Sequence, residues 1–516
     1  MPSISSTPST EASTSQLDRN LSGFTTLTDP LTISVGLLVF TNALEDPATH
    51  AAAAQKILPS VPLAHFFQLL QQDFGYDTEA VMDLTCTLIE ALLKDQSYST
   101  LTQDPAMVQA LELALQSPSP QFKTNVFRLL LQGLSSKDSI AIAERTKQSL
   151  VKVIFSPNVL AQALQDDENR AKIHEMANNS RNLIVQLRTL EVLIGITADS
   201  LEGLSELEGM KMLDALKFGL DSSDVLTRFN IIELLGKFGT EAGTAFLDEM
   251  GIFTRLADIV ANDTEQDPLG VSAVIKLYGQ LGSAVPVPYP TIDMKFQILV
   301  QLERILAGGD EDYHVTEPLK QEAIAAVGLT GGNGSNLQWL LDSSCGRTFT
   351  TMYGSLSRDS KVVWFHALAQ ILQGCGRMSS TGRDVQELYE CLEAGGQSAF
   401  VGRLVTAAKS HSVEMALAAL SLMIKLANYD FGVQKIGQDR EAITFLLDRN
   451  VDLTHAGKVA RAEVISNMLD TIAREKGGSG PELLTADQIS RLDLARRQGA
   501  FYQRAAATVA IQDIAA

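Results

Sequence analysis

The sequence predicts an all-α fold, an armadillo/HEAT-like right-handed α-solenoid that curves as its repeats stack. Apolar residues recur at helical spacing along nearly the whole chain, one stretch repeats itself at a fixed distance, and no convincing strand interrupts the pattern. Composition agrees: 45% of the 516 residues are hydrophobic but only 6% aromatic. Ala and Leu dominate, which suits many close helix contacts better than a strand-rich core.

Residues 1–22, opening MPSISSTPST, carry Glu11 and Asp18 and no apolar run, so a disordered Ser/Thr-rich tail is expected there and not a signal peptide. The longest apolar run, Leu31 to Leu44, is shorter than the roughly 20 residues a bilayer span needs and contains Thr and Asn. From residue 23 to 476 amphipathic segments follow one another, separated by Gly, Asp, Asn, Ser and Pro. Glu79 to Leu93, Phe122 to Leu134, Leu183 to Ile196 and Val413 to Ala427 are clear helices, and Ser117 to Pro120 marks a turn. Short connections require neighbouring helices to pack antiparallel.

The repeat is visible where LEVLIGITAD (Leu190 to Asp199), IIELLGKFGT (Ile231 to Thr240) and VIKLYGQLGS (Val274 to Ser283) overlay at 42 to 43 residues. Glu191 matches Glu233 and Leu193 matches Leu235, while Gly236, Phe238 and Gly239 match Gly279, Leu281 and Gly282. That period lies in the armadillo/HEAT range. The middle copy reads as helix Val225 to Phe238, a turn at Gly239, helix Ala242 to Met250 and helix Phe253 to Val260. A further copy spans Val413 to Asn450, and ten to twelve degenerate repeats are expected in all. One such unit cannot bury its apolar face alone, so neighbours stack and the concave side becomes a binding groove.

Three stretches break the pattern: the acidic Gly308 to His314, the Gly-rich Gly328 to Ser335, expected as a flexible inter-helix turn, and Gly477 to Pro481. The last separates residues 477–516, expected as linker, capping helix and tail. Ser490 to Gln498 forms that helix, Gly499 ends it, and Phe501 and Tyr502 fold back over the last repeat. Between Arg491 and Arg504 four Arg stand against one Asp, a local reversal of charge that could also meet an acidic partner.

Charge and motif content narrow the function. The balance of 41 basic and 61 acidic residues leaves a net charge of −20, which repels phosphate backbones and anionic membranes. Neither nucleic acid nor membrane is therefore expected as a partner. Cys86, Cys345, Cys375 and Cys391 show no C-x-x-C spacing, and the histidines never fall at i, i+4, so no metal or cofactor is expected. No G-K-[ST] follows the Gly-rich stretch, and Gly203-x-Ser205 lacks the trailing Gly of a nucleophile elbow. An enzyme is not expected. A peptide ladder of the nuclear-import type is disfavoured as well, because only Trp339 and Trp364 exist and Ser343 and Leu368 stand four residues on. Lys211 with Asp214, and Arg255 with Asp258, recur 44 residues apart on what read as equivalent third helices. They are candidate partner-binding residues on the concave wall, against the plainer reading of i, i+3 charges on a solvated face.

The tail resembles a known family. Arg491-Leu492 followed by Gln498-Gly499-Ala500-Phe501-Tyr502, with Leu447-Asp448-Arg449 upstream, is similar to the ending of the proteasome non-ATPase regulatory subunit five family. That resemblance covers residues 413–502 and implies a chaperone of regulatory-particle assembly. Such a chaperone holds the small C-terminal domain of one base ATPase subunit on its concave face and sterically delays docking on the core particle. It implies no cofactor; a monomer is expected when free, and the cysteines, without a disulfide framework, fit a reducing compartment, the cytoplasm with the nucleus also open. A generic armadillo scaffold that takes linear peptides in the groove is the alternative.

Overall fold

The computed structural model describes residues 17–45, 50–70, 72–93, 164, 167–179, 181–262, 265–310, 313–375, 382–396, 399–449, 451, 453–475 and 483–502. The expected helix Phe122 to Leu134, the Ser117 to Pro120 turn, the Gly477 to Pro481 linker and residues 503–516 lie outside them. The chain divides into two compact units, residues 1–222 and 223–516.

In the first unit α1 (Pro30–Glu45), α2 (His50–Ser60) and α3 (Leu63–Leu69) precede α4 (Thr78–Leu93), and α5 (Asp167–Ala177), α6 (Leu183–Thr197), α7 (Leu201–Gly209) and α8 (Asp214–Leu220) follow. Residues 17–21 are already helical, with Leu17 buried and Asp18 paired to Lys56 at 3.0 Å, so the tail expected to reach residue 22 ends earlier. An apolar side chain at position 17 finds a core to enter. Phe24 sits across α1 at Gly36, where a Cβ would fall 2.5 Å from its ring. Phe40 and Phe66 complete the cluster at ring distances of 4.9 and 6.0 Å from Phe24.

The second unit is built from triplets, each one longer helix followed by two shorter ones: α9 (Val225–Leu235), continued by a 3-10 turn over Gly236–Phe238, α10 (Glu241–Glu249) and α11 (Ile252–Asn262); α12 (Pro268–Ser283), α13 (Tyr289–Phe296) and α14 (Ile298–Ala307); α15 (Glu317–Gly332), α16 (Gly334–Asp342) and α17 (Ser344–Thr351); α18 (Arg358–Cys375), α19 (Gly382–Ala394) and α20 (Phe400–Ala408); α21 (Val413–Leu426), α22 (Asp430–Gln438) and α23 (Arg440–Leu447). A last long helix, α24 (His455–Glu475), carries the capping helix α25 (Ala486–Gln498). Long helices start at residues 225, 268, 317, 358, 413 and 455, and each packs on the next, making one continuous row. This is the all-α, armadillo-type solenoid order.

Local chemistry sets the period. Asp224, Asp267, Thr316 and Ser412 each accept the backbone N–H three residues on, starting α9, α12, α15 and α21. Asp267 also meets Arg228 of the preceding long helix at 3.0 Å with 3% of its side chain exposed, so one carboxylate starts a helix and ties two repeats. The 43-residue offset that overlays the sequence copies places Lys276 beside Glu233, and their pair closes at 2.6 Å.

The Gly-rich stretch departs from expectation. Gly328 to Gly332 lies inside α15 and Gly334-Ser335 opens α16, with no flexible loop between. These glycines are there for closeness: a Cβ at Gly328 would stand 2.7 Å from the Ala367 Cα, and one at Gly279 2.7 Å from the Ala326 Cα. At Gly374 it would meet the Gly332 carbonyl oxygen at 1.7 Å. Small residues let the backbones of the long row approach, and the loss in helix propensity is modest. The acidic stretch is a short hairpin, β1 (Gly309–Asp310) against β2 (Tyr313–His314), entered through Gly308 at φ 101°.

Candidate protein-docking surface

The row of long helices leaves one stripe of each open to solvent, and the sequence of that stripe is unusual. From Ala323 to Gly332 in α15, Val362 to Cys375 in α18 and Met415 to Ile424 in α21 there is no Asp, Glu, Lys or Arg. Ala325, Leu329, Leu417 and Ser421 are half-buried, and His366 and Gln370 are exposed. In a chain of net charge −20 this is a broad uncharged field. Depletion of charge is one mark of an interface centre, because such a surface sheds its water at little cost. Lys276, neutralised by Glu233, borders it on α12, and Glu463 and Asp470 stand exposed on α24.

The charge pairs singled out in sequence do not form equal helical rungs. Arg255, half-buried, and exposed Asp258 do lie one turn apart on α11. Lys211, in contrast, is in the turn before α8, at φ 57°, and half-buried Asp214 is the first residue of that helix. The turn is closed by Met212 N–H donating to Leu207 O at 3.0 Å, and Asn178 Nδ2 donates to the Lys211 carbonyl at 3.0 Å. A residue held by its backbone in the left-handed region cannot continue a helix face. The two pairs also belong to different units.

Both Trp residues are committed to the fold. Trp364 is buried and donates to Phe349 O at 2.9 Å, and Trp339 donates to the Asp293 carboxylate at 2.9 Å. Asp293 in turn accepts Leu299 N–H at 2.7 Å, which holds the break between α13 and α14 at Gln297, φ 55°. Burial pushes the Cys345 thiol up, and the Cys375 thiol up to about 12, far from a reactive thiolate. An apolar cavity of about 10 Å³ between Leu368, Tyr389, Phe400 and Leu422 has space for one water at most. Among the described residues no three His, Cys, Asp or Glu side chains gather as a metal site, and no helix is long and apolar enough to cross a membrane.

The tail motif divides into parts with different work. The expected capping helix is present and starts earlier, at Ala486, through a capping box in which Thr485 and Gln488 bond reciprocally. Leu492 is fully buried and Gly499 ends the helix at φ 79°. Arg449, from the upstream Leu447-Asp448-Arg449 triplet, donates to the carbonyls of Ala495 and Gly499, both at 3.0 Å. The two halves of the motif therefore meet in space: a guanidinium closes the negative end of the capping helix. Arg491 lies on the outer side of α25, 3.5 Å from Asp487. Phe501 folds back onto the last long helix, stacked on His455 at 4.4 Å, but it and Tyr502 stay 53% and 43% exposed, so the repeat end is covered only in part.

Comparison with known proteins adds three findings. A family model described as the proteasome non-ATPase 26S subunit matches residues 41–516. The chain is similar to the 26S proteasome non-ATPase regulatory subunit 5 of Drosophila melanogaster, 21% identical over 412 residues that cover 73% of this chain and 76% of that protein. Among solved structures it is similar to an engineered protein at TM-score 0.36 and 14% identity, over 88% of this chain and 98% of the other. A designed armadillo repeat protein aligns at TM-score 0.31 and 17% identity, over 49% of this chain and 98% of the other.

Proposed function

This chain belongs to the family of proteasome non-ATPase 26S subunits, and from that membership we propose that it is a non-catalytic chaperone of regulatory-particle assembly. In this reading the long-helix row holds the small C-terminal domain of one base ATPase subunit. The observation that carries it is the uncharged field along α15, α18 and α21. Binding there requires no stripping of water from charges. The row is stiffened by glycine contacts and the Arg228–Asp267 tie, so little order remains to be imposed on docking.

Delay of core-particle docking then follows from bulk. A body of this size on the ATPase C-terminal domain occupies the space the core particle would take, and no nucleotide or metal is needed. The free chain acts as a monomer in the cytoplasm, with access to the nucleus. Co-expression with each base ATPase C-terminal domain, followed by affinity capture, tests the proposal: one domain should co-purify in equal amount. Capture of none of them, or capture only of short linear peptides, would overturn it.

A further inference from the structure

Leu492, Gly499 and Arg449 of the tail motif serve the fold, whereas its two rings are left largely in water. Leu492 fills the core, Gly499 turns the chain, and Arg449 fixes the turn through two carbonyls. Phe501 and Tyr502 follow that turn with 53% and 43% of their surface in water. His455 supports Phe501 from beneath, and Val459, one turn along α24 from His455, is 44% exposed. A terminus that merely frays would have neither the guanidinium clamp nor the stacked ring. Rigidly presented aromatic side chains are what binding hot spots are made of, since little entropy remains to be lost.

The charge beside them is equally distinctive. Arg496 and Arg497 share a single carboxylate, Asp493, at 3.6 and 2.7 Å, and Arg496 also reaches Asp470 at 2.8 Å. The Arg497 side chain is 77% exposed, so most of its five N–H donors face water. The chain as a whole is acidic, with a net charge of −20, whereas between Arg491 and Arg497 three Arg stand against one Asp.

We propose that the capping helix and the Phe501–Tyr502 pair form a second docking surface, for a short acidic segment of a partner protein that carries an apolar side chain. Its carboxylates meet the outward donors of Arg497 and Arg496, and its apolar side chain lies on the exposed ring of Phe501 or Tyr502. The surface lies on α25 and the adjoining α24, outside the uncharged field of α15, α18 and α21, and does not rest on the ATPase-domain reading.

The test uses the full chain and a fluorescein-labelled ten-residue peptide alternating Glu with Leu and Phe, beside a control with Lys in place of Glu. Anisotropy should show saturable binding of the acidic peptide alone, weakening at least tenfold between about 50 and 300 mM salt, as exposed charge contacts do. Phe501→Ala with Tyr502→Ala should weaken it at least tenfold. Arg497→Glu should do the same with an unchanged melting temperature, because that side chain stands mostly in water. Equal binding of the Lys peptide, no binding of the acidic one, or Arg497→Glu binding as the parent does would each overturn the proposal.

Discussion

Gly328→Ala is the sharpest perturbation of the long-helix row. In an isolated helix the change would stabilise by about 0.5–1 kcal/mol, since alanine loses less backbone entropy than glycine. Here the new methyl would stand 2.6 Å from the Ala367 Cβ and 2.7 Å from its Cα. One neighbour is backbone, so α15 and α18 must separate by several tenths of an ångström along their contact. Overpacking of that kind costs about 1–3 kcal/mol, and the net expectation is a loss of roughly 1–2 kcal/mol. Gly402→Ala is the matched control: on α20 the nearest foreign atom to the new methyl is the Asp439 carboxylate oxygen at 3.7 Å. There the propensity gain should survive. Urea unfolding followed by helical circular dichroism should place the Gly328→Ala midpoint below the parent and the Gly402→Ala midpoint above it. Hydrogen exchange should localise the first effect to α15 and α18. Stabilisation by Gly328→Ala would refute close approach as the reason for glycine there.

Other perturbations probe the remaining ties. Asp267→Ala removes a helix cap and leaves the Arg228 guanidinium, 16% exposed, without its carboxylate; a loss of about 3–5 kcal/mol is expected for breaking a buried pair, and thermal unfolding measures it. Arg449→Ala should release α25 without unfolding the row, read as faster exchange confined to residues 486–498, because both guanidinium bonds to the cap end there. Near the N-terminus, burial holds the His65 ring below its usual pKa beside Phe24. The unfolded chain therefore takes up the proton first as pH falls through about 6.5. The stability this ring contributes is full above that pH and lost below it, and His65→Leu should flatten the acid limb of the first unit's melting profile.

Much of the fold was legible because helix chemistry is local. Asp224, Asp267 and Ser412 announce their helices by residue type, and the expected starts of Val225 and Val413 coincide with those observed. The repeat offset had structural content too, since it predicts which residues face each other across neighbouring long helices, Glu233 and Lys276 among them. Glycine was the ambiguous letter. At Gly499 and Gly308 it serves backbone angles that local reading anticipates. At Gly328 and Gly374 it serves contact with a helix some forty residues away, and nothing in the local sequence separates the two uses.

The proposed docking surface was less legible than the fold for a related reason. Charged pairs such as Lys211 with Asp214 stand out to the eye, yet Lys211 sits in a turn at positive φ. The field on α15, α18 and α21 is defined by what it lacks, and only the three-dimensional row shows that these three helices pack one on the next. One signal was available: successive long helices free of charge over ten or more residues in a chain with 102 charged side chains, although buried core helices look the same. Phe501 and Tyr502 were expected to fold back over the last repeat; the turn at Gly499 came where expected and Phe501 reaches His455, but much of both rings stays in water.

The central claim is that the long-helix field holds one folded ATPase domain. Titration calorimetry of the full chain against each purified base ATPase C-terminal domain addresses it most directly, repeated with Ala325→Glu combined with Ser421→Glu. Both residues are half-buried on that field, and glutamate is a good helix former, so the melting temperature should be kept. The account predicts a one-to-one complex with one domain, weakened at least a hundredfold by the double substitution. Undiminished affinity of the double variant, or no complex with any of the domains, would contradict it.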